Sequence, residues 1–239
     1  MIVLDRPPLN VMNIVMMKEI HQAVADLARS CDVLIFRGEG EKAFSAGAEI
    51  GDHTPDRVAD MLSAFHEIFL ELWRSKMITI AAVHGHCLGG GCELAAFCDF
   101  VVASNSATFG QPEIQLGCFP PVAIVLLPRL IGMRATLDMV LSGRTISAYE
   151  AQRIGLVSRV VPDKELDHEV ASLSAELRTL SPNVLAMTRR MLWNSDDFDF
   201  ERSLKSVEDF YLRELMKTHD AREGIRAFLE KRQPEWQSM

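Results

Sequence analysis

Cysteine is scarce and poorly spaced for bridging: five residues in 239, at positions 31, 87, 92, 98 and 118, with no CxxC pair and no zinc-like spacing to histidine. That pattern excludes a disulfide scaffold and a zinc ribbon. An odd number of thiols, several in apolar surroundings, reads as free buried cysteines in a reducing compartment, so a cytoplasmic setting is expected. The start, MIVLDRPPLN, has neither the charged leader nor the long apolar core of a secretion signal. No apolar run approaches the roughly 20 residues needed to span a bilayer. Basic residues are outnumbered, 25 Lys and Arg against 33 Asp and Glu, and a net charge of −8 argues against a general nucleic-acid or anionic-membrane binder. Low-complexity segments and exact repeats are missing as well.

Several chemical signatures are also lacking. The run Gly89-Gly90-Gly91 does not have the GxGxxG spacing of a dinucleotide fold, and no Walker lysine follows it. Neither Ser45 nor Ser104 sits in a GxSxG elbow, which disfavours a serine hydrolase. His84 and His86 have no third ligand at suitable spacing, so no metal site is expected. His53, His66 and His219 read as surface or partly buried residues.

What is present is an ordinary core-forming composition, 48% hydrophobic and 24% charged, in a chain long enough to need no staples. Apolar β-branched runs at Ile2-Val3-Leu4, Val33–Phe36, Ile78–Val83, Phe100–Ala103 and Leu156–Val161 predict strands. Between them, Asn13 can cap a helix to about Arg29, with Ile14, Met17, Ile20, Val24 and Leu27 on one face. Asp56–Ser75 carries the clearest helical period. Ala43–Ile50 predicts a small-residue loop whose N–H groups a ligand can approach. Met133–Ser142 predicts a helix, and Ser147 to Glu150 begins another with a capping-box pattern. From Asp163 onward the pattern is helical, with a joint at Ser181-Pro182. Strand and helix recur, so the fold class is α/β with a helical tail.

The stretch His84–Glu113 concentrates the chemistry. A buried strand runs into three glycines, which open a helix carrying Glu93 on its first turn, and Glu113 follows 20 positions later behind Gly110-Gln111-Pro112. A glycine-lined helix start favours a developing negative charge. Taken singly, Glu93 reads as a carboxylate complementing a helix N-terminus, worth up to about 1 kcal/mol, and Glu113 as a loop residue. Together they favour acid/base chemistry beside an oxyanion hole.

These residues resemble the enoyl-CoA hydratase/isomerase (crotonase) superfamily over nearly the whole chain. The matching motifs are Arg6-Pro7-Pro8-Leu9-Asn10, Ala43–Ile50, Gly85–Leu94, Phe109–Glu113, Leu141–Arg144 and Ala151–Val157. The resemblance implies a ββα spiral acyl-CoA-binding core, here residues 1–181, and a helical oligomerisation region, residues 182–239, that builds homotrimers or hexamers. It implies an acyl-CoA thioester substrate, of fatty or aromatic acid degradation, and no cofactor, since coenzyme A is part of the substrate. Its carbonyl oxygen is then expected between the N–H groups of Ala48 and Gly90. Glu93 is expected to handle water and Glu113 the α-proton, and having both favours a hydratase. Ala46, Gly47, Ile50 and Gly89 are expected to contact substrate. At the far end Phe228 is expected to flank the pocket and Lys231 to reach CoA phosphates.

Two departures stand out. The resemblance implies a further strand before Ile2, so the first hairpin is expected to be incomplete. Where the family carries a glycine-rich segment after the second glutamate, this chain has Phe119-Pro120-Pro121-Val122-Ala123, a stiffer and bulkier wall. That wall, with Gly51-Asp52-His53, resembles the alicyclic dienoyl-CoA hydratases, which add water to cyclohexa-1,5-diene-1-carbonyl-CoA. The alternatives are a double-bond isomerase relying on Glu113, and a non-catalytic CoA-binding assembly subunit.

Overall fold

The β-branched runs of the first two-thirds become one parallel sheet. In the computed structural model, which describes residues 1–193 and 198–237, strands β1 (Ile2–Leu4), β2 (Val33–Gly38), β4 (Ile78–Val83), β6 (Phe100–Ser104) and β9 (Arg159–Val161) lie in the order β1-β2-β4-β6-β9. All its pairings are parallel. Parallel pairing requires helical crossovers that cover the sheet, which is why β4 is apolar at nearly every position rather than alternating.

A second sheet is made of three-residue strands, β3 (Ala43–Ser45), β5 (His86–Leu88), β7 (Thr108–Gly110) and β8 (Thr145–Ser147), in that order. The chain steps from a long strand to a short one and then into a helix: β2–β3–α2 (Val58–Arg74), β4–β5–α3 (Gly90–Phe97), β6–β7–α4 (Pro121–Leu130). This is the ββα spiral implied by the resemblance. The short sheet sets the distances that matter, because β5 pairs with β7 with Leu88 beside Gly110. Carboxyls far apart in sequence thereby enter the site from adjacent strand ends.

Helix α1 (Ile14–Leu27) starts where expected, with the Asn13 side chain accepting from the Met16 N–H. Ser147 likewise caps α6 (Ala148–Ile154) by accepting from Glu150 N–H. The strand expected over Leu156–Val161 shrinks to β9. Gly155 ends α6 in a left-handed conformation, and the Leu156 and Val157 N–H groups turn back to the Ala151 carbonyl. Within Ala43–Ile50 the first three residues form β3 rather than loop, and a 3-10 turn, Ile50–His53, follows.

Beyond α5 (Gly132–Ser142) and α6, four helices complete the described chain: α7 (Leu166–Arg178), α8 (Pro182–Trp193), α9 (Phe200–Arg213) and α10 (His219–Leu229). Positions 194–197 and 238–239 of the expected oligomerisation region lie outside the described residues. The helices after Pro182 share the main core, into which they insert Phe200, Leu204, Tyr211 and Ile225. Asp99 anchors α8, accepting from Arg189 Nε at 2.7 Å and from the Thr79 N–H and hydroxyl at 2.8 and 2.9 Å. His66 is buried, rather than surface or partly buried as its sequence setting suggests. The reason is its partner, since Nδ1 meets Glu208 Oε2 of α9 at 2.5 Å.

Candidate active site

The loop bearing Ala48 is fixed from behind. Asn10, buried, donates its amide to the carbonyls of Glu39, Ala43 and Phe44, and Ser45 Oγ donates to the Asn10 carbonyl at 2.8 Å. Met12 brackets Ala48 on both sides, its N–H donating to the Gly47 carbonyl and its carbonyl accepting from the Glu49 N–H. The Ala48 N–H itself has no acceptor among the described residues, and the same is true of Gly90. A Cβ on Gly90 would stand 3.5 Å from the Ala48 nitrogen, and one on Gly47 would stand 3.2 Å from the Gly90 nitrogen. The two free donors are therefore neighbours with no side chain between them, the arrangement that can hold an oxyanion.

Glycine is required at the start of α3 for two different reasons. Gly89 has φ +52° and ψ −129°, a conformation open to few L residues, and its missing Cβ leaves room for the Glu113 carboxyl. Gly91 packs against the backbone of β3, where a Cβ would meet the Ser45 carbonyl oxygen at 2.3 Å.

Glu93, one turn into α3, is 3% exposed. Its Oε1 accepts from the Ala123 N–H at 2.8 Å, at the start of α4. Pro121 opens α4 and has no N–H, so the carboxyl takes its support from Val122 and Ala123. Burial raises the Glu93 pKa to about 7, and those two N–H groups hold it from rising further. Glu113 follows Pro112 in a 3-10 turn, Pro112–Leu116, and its Oε2 is buried without a partner among the described residues. Burial, and then the charge of Glu93, push its pKa well above the ordinary carboxylate range. The environment thus differentiates the pair, a neutral Glu113 that can donate a proton and a Glu93 that is ionised from near neutrality upward.

Both carboxyls line a cavity of about 90 Å³. Ala46, Gly47, Ala48 and Ile50 reach it from the first loop, Gly89 and Gly90 from the α3 start, and Phe119, Pro120 and Pro121 from the segment before α4. Phe228 and Lys231 lie outside its lining, at and just past the end of α10, with Phe228 about half exposed. Residues not among the expected substrate contacts complete the wall: Met61, Leu62 and Phe65 of α2, His53 of the Gly51-Asp52-His53 run, and Tyr211 of α9. The α2 residues lie on the apolar face already visible in sequence. For Tyr211 no local signal exists. His53 Nδ1 donates to the Glu49 carbonyl, 3.1 Å away, and burial lowers its pKa.

Because burial raises the Glu93 pKa, this group contributes stability in full below its unfolded value of about 4.5, and that contribution is lost as pH rises through about 7. Glu93→Gln keeps an acceptor for the Ala123 N–H and removes the buried charge. It is expected to be more stable than the wild type at pH 8, by on the order of 3 kcal/mol, with the difference vanishing below pH ~4.5. Urea unfolding at the two pH values measures this.

The Enoyl-CoA hydratase/isomerase family model matches residues 1–239. The cyclohexa-1,5-dienecarbonyl-CoA hydratase of Thauera aromatica is 37% identical over 243 residues, covering 98% of this chain and 91% of the relative. A probable mitochondrial enoyl-CoA hydratase of Dictyostelium discoideum is 37% identical, covering 99% and 86%. Among solved structures, an enoyl-CoA hydratase from Mycobacterium avium subsp. paratuberculosis superposes with a TM-score of 0.88 at 25% identity, covering 99% of this chain and 94% of the other. The ββα spiral thus holds a backbone N–H pair beside two buried carboxyls in one cavity. The chain belongs to the enoyl-CoA hydratase/isomerase (crotonase) family.

Proposed function

We propose that the protein is an acyl-CoA hydratase, a hydro-lyase that adds water across the conjugated double bond of an enoyl-CoA or cyclic dienoyl-CoA thioester. The observation that carries this reading is the pair of buried, differently tuned carboxyls sharing one cavity with two free N–H donors. The thioester oxygen accepts from the Ala48 and Gly90 N–H groups. Glu93, as carboxylate, takes a proton from water as the water oxygen bonds to the β-carbon. The double-bond electrons move onto the thioester as an enolate, held by the two donors more strongly than the ground-state carbonyl. Glu113 then delivers its proton to the α-carbon, and transfer of the proton on Glu93 restores the starting state. No cofactor enters this sequence.

The acyl group is a six-membered cyclic dienoyl. The supports are the Phe119-Pro120-Pro121 wall, which presents rings and a stiff backbone where a flexible chain would need room, and the likeness to the Thauera aromatica hydratase. Phe228 flanks the pocket from outside its lining, and Lys231 reaches the CoA phosphates. A spiral core of residues 1–181 is followed by an oligomerisation region of residues 182–239. On α8 and the turn before it, Leu180, Val184, Met187 and Met191 recur at three- and four-residue steps and are all at least half exposed, which suits burial in a homotrimer or a pair of trimers. Five free thiols suit the cytoplasm.

Incubation with crotonyl-CoA and cyclohexa-1,5-diene-1-carbonyl-CoA in heavy-oxygen water should consume the conjugated chromophore and place solvent oxygen in the product, faster with the cyclic substrate. The rate should rise with pH through about 7, as Glu93 ionises, and should fall once Glu113, whose pKa is also raised by burial, loses its proton. Double-bond migration without solvent oxygen would point to an isomerase, and binding without turnover to an assembly subunit.

A further inference from the structure

Nearly all of the cavity wall comes from the chain before Val122. The exception among the described residues is Tyr211, which reaches in from α9. Tyr211 is 1% exposed, and its ring stands edge-on to Phe119, with centroids 5.0 Å apart and planes at 78°. Cys118 lies beside its hydroxyl, and Cys118 Sγ donates to the Leu116 carbonyl at 3.6 Å. Glu93 and Glu113 line the same cavity, so the ring stands near the reacting carboxyls. One helical turn earlier, Glu208 meets the buried His66 of α2, whose neighbour Phe65 lines the same cavity. The ring is therefore held by Phe119, by Cys118 and by the clasp of α9 on α2. A side chain so packed has no free rotamer into which to swing when a longer group arrives.

We propose that Tyr211 is the end stop of the acyl cavity, a substrate-contacting residue whose ring limits the acyl group to about the size of a six-membered ring or a short chain. This rests on reading the cavity as an acyl-CoA site. It assigns acyl selection jointly to the segment before α4 and to a helix of the C-terminal region. The ring, not the hydroxyl, is the determinant, since a rigid aromatic face excludes chain atoms by volume. A pocket wall that must be displaced for added methylenes discriminates by roughly tenfold or more.

The test is binding of saturated acyl-CoAs to the full chain by calorimetry, from butyryl-CoA through decanoyl-CoA and with cyclohexanecarbonyl-CoA, so that the readout does not depend on turnover. Wild type should bind the butyryl and cyclohexanecarbonyl thioesters and lose affinity toward decanoyl-CoA. Tyr211→Phe should keep that length profile. Tyr211→Leu should gain roughly tenfold or more for decanoyl-CoA relative to butyryl-CoA. It retains enough apolar volume to fold should Tyr211→Ala not do so. An unchanged profile in Tyr211→Leu overturns the proposal, as does a shifted profile in Tyr211→Phe. Wild-type binding without hydration would sink the hydratase reading, while the length profile would still decide the role of Tyr211.

Discussion

Glu113→Gln and Glu93→Gln are each expected to lower kcat for hydration by about 10²–10⁴, the usual contribution of a positioned general acid or base. The two losses should differ in kind. Without Glu113 the enolate still forms but its α-carbon lacks a proton donor, so exchange or slow protonation from solvent should persist. Without Glu93 the water is neither oriented nor deprotonated, and the substrate should return unchanged. Affinity for a saturated acyl-CoA should survive both changes, since neither variant touches the Ala48 and Gly90 donors. Single-turnover assays beside calorimetric binding separate these outcomes. A double variant no slower than either single one would show that the pair acts as a unit.

Alanine substitution along Gly89-Gly90-Gly91 should produce three different results from three adjacent residues. Gly91→Ala should give no folded protein, because its Cβ would lie 2.3 Å from a backbone carbonyl oxygen of β3, which has no room to yield. Gly89→Ala should fold with a lowered Tm and lose at least about 10² in kcat. Its left-handed backbone is strained by a side chain, costing about 1–3 kcal/mol, and its Cβ would lie 2.7 Å from Glu113 Oε1. The carboxyl must move, and a shift of about 1 Å at the reacting group is enough for that loss. Gly90→Ala should be the mildest for folding, since its Cβ meets the tip of the Phe65 ring at 2.9 Å, and a ring can give. Circular dichroism, thermal melts and hydration assays on the three variants order them.

The long apolar runs were the legible part of the fold. β4 declares itself as an unbroken apolar run of six residues, and α2 as seventeen residues with a helical period. The short sheet is different. β5, β7 and β8 have three residues each, too few for alternation to register, and their pairing is a property of the spiral rather than of any local pattern. Yet Leu88 beside Gly110 is what turns a sequence separation into one site. The glutamates and the glycine start were readable because they share one stretch. Tyr211 was not, because only the packing of α9 against α4 brings it there. His66 misled for the same reason, its burial depending on Glu208 far along the chain.

The Val122 and Ala123 N–H groups at the start of α4 give one segment two masters. The segment proposed as the acyl wall runs directly into the two N–H groups that offset the effect of burial on Glu93. Substitutions that remodel the wall should therefore be epistatic with pH, so that a variant selected for a bulkier acyl group carries a displaced rate–pH profile even when both glutamates are intact. Relatives that diverge in this segment would then differ in working pH as a by-product of differing in substrate.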